Sequence, residues 1–304
     1  MLTFFSIPKP FNGHIGVIQR NAIASWSRHA GCETLLLGNE AGTQEAAAAA
    51  GATWIREVAA NEYGTPLLSS AFEQARRVAR NRLLCYVNAD ILVLPDLPQA
   101  AARLDFRDFL MLGQRWDLDL AEPFDFSGAD WEARLRALVS ARGSLHPPSG
   151  SDYFVFPKDS ALATLPAFAV GRPAWDNWLI FRARELGFPV VDASGAVTIA
   201  HQNHDYGHVK SARGGAWEGP EADRNRELAG GYEHVFTLLD ATHRLEPGGL
   251  RRASGPQYAE RRRETLRILS PRLWKFLEAL RWAAGIVPRI ARAVMRRWAA
   301  RSQG

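Results

Sequence analysis

The run Leu83-Leu84-Cys85-Tyr86-Val87-Asn88-Ala89-Asp90-Ile91-Leu92-Val93-Leu94 opens with the apolar residues of a strand buried on both faces. It then sets Asn88 and Asp90 two residues apart, ahead of Pro95 and Asp96. Neighbours at i and i+2 on extended backbone project to one side. An amide carbonyl and a carboxylate so placed would face one point beyond the strand, a suitable position for a hard divalent cation and a diphosphate. Open α/β sheets take their ligands beyond the carboxyl ends of strands. The competing reading makes Asn88 and Asp90 the start of a turn before Pro95.

The elements that would position this pair alternate. Thr3–Ile7 reads as a strand closed by Pro8-Lys9-Pro10, and Gly13 and Gly16 flank a loop into a helical spacing over Val17–Ala30. Thr34–Leu37 is a short strand, Thr43–Ala50 an Ala-rich helix stopped by Gly51, Thr53–Val58 a strand and Leu67–Arg80 an amphipathic helix. Strand–helix alternation of this kind predicts a parallel sheet with covering helices. No Gly-x-Gly-x-x-Gly follows the first strand and no Gly-Lys-Ser/Thr loop occurs, which disfavours dinucleotide and P-loop folds.

Further along, Pro98–Leu104 reads as a helix, Phe109–Gln114 as a strand, and Arg115–Ser149 as a polar insertion with a helix at Trp131–Ala141. Ser151–Phe156 is a strand, Ala174–Leu186 a helix, and Phe188–Asp192 and Val197–Ala200 are strands, the last ending at His201. Glu218–Leu245 reads as a helix with short breaks.

At 304 residues, 47% hydrophobic and 23% charged, the chain can bury a large core, and it contains no run of eighteen apolar residues. Its N-terminus lacks a basic, apolar leader, and Cys32 and Cys85 read as buried thiols in a reducing compartment, so a cytoplasmic location is expected. The net charge of +5 hides an asymmetry. From Arg251 onward there are 14 basic and 3 acidic residues (+11), leaving 23 basic and 29 acidic (−6) before it. The basic balance belongs to the tail and does not point to nucleic acid as a partner.

The chain resembles nucleotide-sugar glycosyltransferases of the GT-A type over roughly residues 1–212. The resemblance rests on the alternating start, on Asn88-Ala89-Asp90 where such enzymes carry a D-x-D motif, on the late His201, on Gly150-Ser151-Asp152-Tyr153, and on the block from Gly171 to Trp178. That block is similar to uncharacterised bacterial and plant glycosyltransferase-like sequences. The resemblance implies a GT-A-like (Rossmann-like) α/β fold with a mixed, mostly parallel sheet flanked by helices. It also implies Mn²⁺ or Mg²⁺ held by the D-x-D residues against the diphosphate of a UDP- or GDP-sugar. In this chain Asn88 stands at the first position, which leaves Asp90 as the main metal ligand, with Asn88 and His201 assisting. Asn12, His14 and Gln19 fall where such a fold seats the nucleotide base, although loop capping explains them nearly as well.

Sugar transfer from a nucleoside diphosphate needs a Lewis acid for the leaving diphosphate and, for inversion, a carboxylate to accept the acceptor's proton. Asp176, at a helix start beside Trp175 and Trp178, is the first choice for that base, and Asp152 the second. Asp176 as a helix cap with two core tryptophans is the opposing reading. Arg172 and Lys210 are phosphate partners or ordinary surface charges. His201, His204 and His208 with Asp205 form a second polar constellation whose spacing also admits zinc or a solvated loop.

The expected organisation is a catalytic domain over 1–212, a helical extension over 213–250 and a basic amphipathic tail over 251–304. In Trp282–Trp298 the positions Trp282, Ile286, Ile290, Val294 and Trp298 form a stripe suited to an anionic membrane surface, or to packing on protein. The expected activity is transfer of a hexosyl group to a hydroxyl on a glycan, lipid-linked or small-molecule acceptor. A sugar-1-phosphate nucleotidyltransferase and a non-catalytic transferase-fold module at a membrane surface are the alternatives.

Overall fold

A computed structural model describes residues 2–204, 217–282 and 284. The chain divides into two compact units, Met1–Ala253 and Ser254–Gly304.

The first unit opens with the alternation its sequence predicts: β1 Leu2–Ser6, α1 Gly13–Trp26, β2 Glu33–Leu37, α2 Thr43–Ala50, β3 Thr53–Ile55, α3 Leu68–Val78 and β4 Leu83–Val87. It continues with β5 Ile91–Val93, α4 Asp96–Ala102, β6 Leu110–Leu112, β7 Trp116–Leu118, α5 Trp131–Arg142, β8 Ser144–Leu145 and β9 Tyr153–Pro157. The last part holds α6 Trp175–Glu185, β10 Val190–Asp192, β11 Ile199–Gln202, α7 Pro220–Ala229, β12 His243–Glu246 and β13 Gly249–Arg252.

Nine strands form the main sheet in the order β13-β12-β10-β6-β9-β4-β1-β2-β3. Only β9, antiparallel to both β4 and β6, and the edge strand β13 run against the rest, giving a mixed, mostly parallel sheet flanked by helices. β1, β2, β4 and β9 are buried along their whole length, as their largely apolar sequences require for strands covered on both faces, and the Thr3 hydroxyl of β1 donates to Glu33 of β2 at 2.8 Å.

The period of two sorts β1's side chains between the faces. Phe4 stacks on Trp26 of α1. Phe5 meets Phe72 of α3 and Tyr86 of β4 edge-on. Tyr86 in turn meets Trp175 of α6, which is buried between it and Phe154, so that ring serves as core. Truncating a ring in this fully buried cluster, Phe72→Ala for instance, would cost about 3–5 kcal/mol.

A second sheet, β5-β11-β7-β8, crosses the carboxyl end of β4. β11 pairs antiparallel with β5 and parallel with β7. This arrangement carries His201 to the residues that follow β4.

The structure departs from the sequence reading in four places. Asn88 and Asp90 do not share an extended strand: they stand in a turn between β4 and β5, closed by the Ile91 amide donating to the Asn88 carbonyl at 3.1 Å. The loop read between Gly13 and Gly16 is the first turn of α1. The 115–149 insertion contains β7 and β8, strands of three and two residues that are too short to show a periodicity. The broken helix read over Glu218–Leu245 is instead α7, two 3-10 turns and a hairpin, β12–β13, that joins the main sheet beyond β10. Two successive glycines, Gly230 and Gly231, both at positive φ, end α7 where the sequence reading ran the helix on.

In the second unit α8 spans Pro256–Leu269, and a further helix begins at residue 271. Of the tail stripe only Trp282 is described; Ile286, Ile290, Val294 and Trp298 lie outside the described residues, as do Asp205, His208 and Lys210. No helix among the described residues is long and apolar enough to cross a membrane.

Candidate active site

The carboxyl end of β4 meets β11 over a cavity of about 480 Å³. The β1–α1 loop lines one side through Pro8, Lys9 and Pro10, and the loop before α6 lines another through Gly171 and Arg172. Asn88, Asp90, Arg115, Asp152, His201 and His204 line it as well.

Asp90 is the centre of the polar wall. Its Oδ2 lies 3.1 Å from His204 Nε2 and 3.7 Å from His201 Nε2. Asp90, His201 and His204 each present one ligand atom, and the three atoms lie within 4.8 Å of one another. Burial pushes the Asp90 carboxyl up, but the His204 contact and the charges of His201, His204 and Lys9 outweigh it and hold the group below its ordinary range. Its Oδ1 is buried without a hydrogen-bond partner among the described residues. An ionised oxygen left so is costly unless a cation completes it, so the residues fit a divalent metal.

The backbone that carries Asp90 is held from β11. Gln202, fully buried, donates through its amide and its Nε2 to the Asp90 carbonyl, and through Nε2 also to Ile18 of α1. Trp26 Nε1 donates to the Ile91 carbonyl at 2.8 Å on the same turn.

Asn88 turns towards β9, its Nδ2 donating to Asp152 Oδ1 at 2.7 Å. Arg115 Nη1 donates to the other Asp152 oxygen at 2.6 Å, and its Nε donates to Asp117 Oδ1 at 2.9 Å. Asp117 also meets His146 Nδ1 at 2.8 Å and stands 3.6 Å from His201 Nδ1. Asn88, Asp152, Arg115, Asp117, His201 and Asp90 are thus linked in sequence around one wall.

Lys9 closes the opposite side. Gln19 grips its backbone from both ends, accepting from the Lys9 amide at 2.6 Å and donating to its carbonyl at 2.8 Å. Burial lowers the Lys9 ammonium's pKa, and the Asp90 charge draws it partly back.

The chain has no match among protein-family models or curated proteins. Among solved structures it is similar to glucosyl-3-phosphoglycerate synthase from Mycobacterium tuberculosis in complex with Mg²⁺ and UDP, at 15% identity and TM-score 0.46, with 84% of this chain and 87% of that chain covered. It is also similar to a mannosyltransferase from Pyrobaculum calidifontis in complex with GDP-Man and Mn²⁺, at 14% identity and TM-score 0.43. That match covers 68% of this chain and spans only 58% of the mannosyltransferase.

Of the residues singled out in the sequence, the cavity brings together Asn88, Asp90, Asp152, Arg172, His201 and His204, with Gln19 behind Lys9. It does not gather Asn12 or His14. Asn12 precedes α1 without capping it through its side chain, and His14 lines a separate cavity of about 320 Å³ with Asp119 and Asn203.

Asp176 stands in the first turn of α6, outside the cavity lining. Burial, with Asp152 adding to it, lifts its carboxyl to about 6 against the hydrogen bonds from the Asn177 and Asp176 amides. The preceding Ala174 is the one non-glycine residue with positive φ among the described residues, at φ 82°. Trp178 packs on Phe168 at 5.4 Å.

Lys9, Arg115, Asp117 and His146 were not singled out. Arg115 and Asp117 are two positions apart, but the pairings that place Arg115 and His146 at the site span 37 and 29 positions.

Proposed function

We propose that this protein is a GT-A-type glycosyltransferase that moves a sugar from a UDP- or GDP-sugar to a hydroxyl acceptor with help from a divalent metal. The observation that carries the reading is Asp90, whose buried Oδ1 lacks a partner among the described residues while two imidazoles gather at Oδ2, beside a cavity at the carboxyl ends of the strands. Asp90, His201 and His204 would hold the metal, with the Asn88 carbonyl beside them, and the metal would supply Lewis-acid stabilisation of the departing diphosphate. Two imidazoles favour Mn²⁺ over Mg²⁺, since imidazole is a poor ligand for the harder ion.

The chain's own groups divide the remaining work. Lys9 and Arg172 meet phosphate charge from two sides of the cavity. For an inverting transfer Asp152 is the carboxylate that lines the cavity, and Asp176, outside the lining, would serve as base only through a proton path from it. Both Asp152 oxygens are already bound, to Asn88 and Arg115, whereas a carboxyl near 6 is ionised at neutral pH and still basic enough to take a proton. A nucleotidyltransferase would call for a Gly-rich basic loop after β1, and here Pro8-Lys9-Pro10 runs on towards α1.

Calorimetric titration with UDP and GDP, with and without Mn²⁺, tests the reading. Metal-dependent binding of one nucleotide, lost in Asp90→Ala with the fold retained, is the expected result. Binding that ignores both metal and Asp90 would sink the metal assignment.

The second unit supports a peripheral membrane reading. Leu273, Phe276 and Leu280 are exposed at i, i+3 and i+7 of its helix, with Arg272, Lys275 and Arg281 interspersed and Trp282 exposed. Co-sedimentation with phosphatidylglycerol vesicles but not with phosphatidylcholine vesicles is the expected outcome, and equal behaviour in the two would remove this reading.

A further inference from the structure

Arg172 reaches the cavity wall from the loop before α6. Its Nε and Nη2 both donate to Glu221 Oε2, at 3.2 and 2.6 Å, and Nη1 has no hydrogen-bond partner among the described residues. Glu221 is buried in the first turn of α7 and Arg172 is mostly buried, with side-chain exposures of 6% and 17%. The other Glu221 oxygen accepts from Asn61 Nδ2 at 2.8 Å. Asn61 in turn accepts from the Tyr63 and Thr65 amides, so its loop is a closed turn, and Thr65 and Pro66 from that turn line the same cavity. A guanidinium held by two of its nitrogens keeps one orientation, and its remaining edge is pre-aimed. Burying both charges merely to attach α7 would be a poor source of stability, since such pairs seldom outperform apolar replacements.

We propose that Glu221 is a positioning residue that fixes the Arg172 guanidinium so that its Nη1 edge receives an oxyanion of a substrate, either the donor's diphosphate or an acidic group on the acceptor. The proposal builds on the transferase reading, and the probe is chosen so that the two stand or fall separately.

Inorganic phosphate is titrated without metal into the full-length wild type, Arg172→Ala, Glu221→Gln and the double variant, followed by phosphorus NMR, with melting temperatures measured in parallel. Glu221→Asp, which keeps the charge, stands in should Glu221→Gln fail to fold. Arg172→Ala and Glu221→Gln are each expected to weaken phosphate by about tenfold, the double variant being no weaker than Arg172→Ala alone, because the two act through one group. Loss of equal size on adding Glu221→Gln to Arg172→Ala would overturn the proposal, as would unchanged affinity in Glu221→Gln or no binding to wild type. Displacement of phosphate by UDP or GDP with Mn²⁺ assigns the site to the donor, and co-binding assigns it to the acceptor. If neither nucleotide binds while phosphate still depends on Glu221, the transferase reading fails and the oxyanion site stands.

Discussion

Asn88 and Asp152 face each other across the ends of the antiparallel strands β4 and β9, joined through both backbone and side chain. The Asn88 amide donates to the Asp152 carbonyl at 3.0 Å, and its Nδ2 donates to the Asp152 carboxylate at 2.7 Å. A carboxylate at position 88 would set two anions against each other here, so asparagine suits the site better than the aspartate of a D-x-D motif.

Asn88→Asp should therefore weaken the site. The new carboxylate would face Asp152 at hydrogen-bond distance with only Arg115 to offset both, a repulsion that protonation would relieve. The expected outcome is a loss of stability that grows from pH 5 to pH 8, read by urea unfolding at several pH values. A flat profile would show that the charges are not coupled.

Arg115→Ala should be among the most damaging single changes at the site. It removes the cation that Asp152 and Asp117 share, bridged at 2.6 and 2.9 Å with 14% of the Arg115 side chain exposed, and leaves them only Asn88 and the imidazoles. Removing one member of such a buried pair costs about 3–5 kcal/mol. Adding Asp152→Asn should recover part of that loss, and a double-mutant cycle in urea measures the coupling.

Asp176→Asn should raise stability at alkaline pH. The folded carboxyl titrates at about 6 against an ordinary 3.8, so the native state binds the proton more tightly than the unfolded chain does. The cost of burying the charge is absent below pH 4, grows as pH rises through 6 and is then constant, at no more than roughly 3 kcal/mol. Melting temperatures of wild type and variant should converge at pH 4 and separate at pH 8. A wild-type rate that rises through pH 6 would place Asp176 in the reaction as base.

Ala174→Gly should stabilise the chain. At φ 82° and ψ −23° this alanine occupies the left-handed region, which costs an L-residue about 1–2 kcal/mol. Glycine removes that cost and returns part of it as unfolded-state entropy, for a net gain of about 0.5–1 kcal/mol in urea unfolding. A loss of activity in the stabilised variant would show that the strain aims Asp176 and its helix.

The sequence was most legible where a single element explains its own pattern. The apolar runs of β1, β2 and β4, and the glycine stop after α2, place those elements within a residue or two of where they stand. Asp90 and His201 were legible by residue type and position next to strand ends, and Arg172 by residue type alone. The Asn88–Asp152 pairing was not, because the partner lies 64 positions away and only the antiparallel register of β4 and β9 brings it close. His204 illustrates the same limit. The sequence reading grouped it with His201 and His208 without a partner, and it meets a carboxylate 114 positions earlier from beyond β11. Chemistry assembled across sheets leaves no local period to read.

The crossing of the two sheets has a consequence for assembly. Asp90 follows β4, whereas His201 and His204 arrive only when β11 has paired with β5 and β7, long-range contacts that form slowly. A nascent or truncated chain ending before Ile199 lacks both imidazoles, however well its first ninety or so residues have folded. For the proposed metal, affinity would then report completion of the fold, and a cation binding only the finished cluster would favour it by mass action, adding about 2.7 kcal/mol at a hundredfold excess over its Kd.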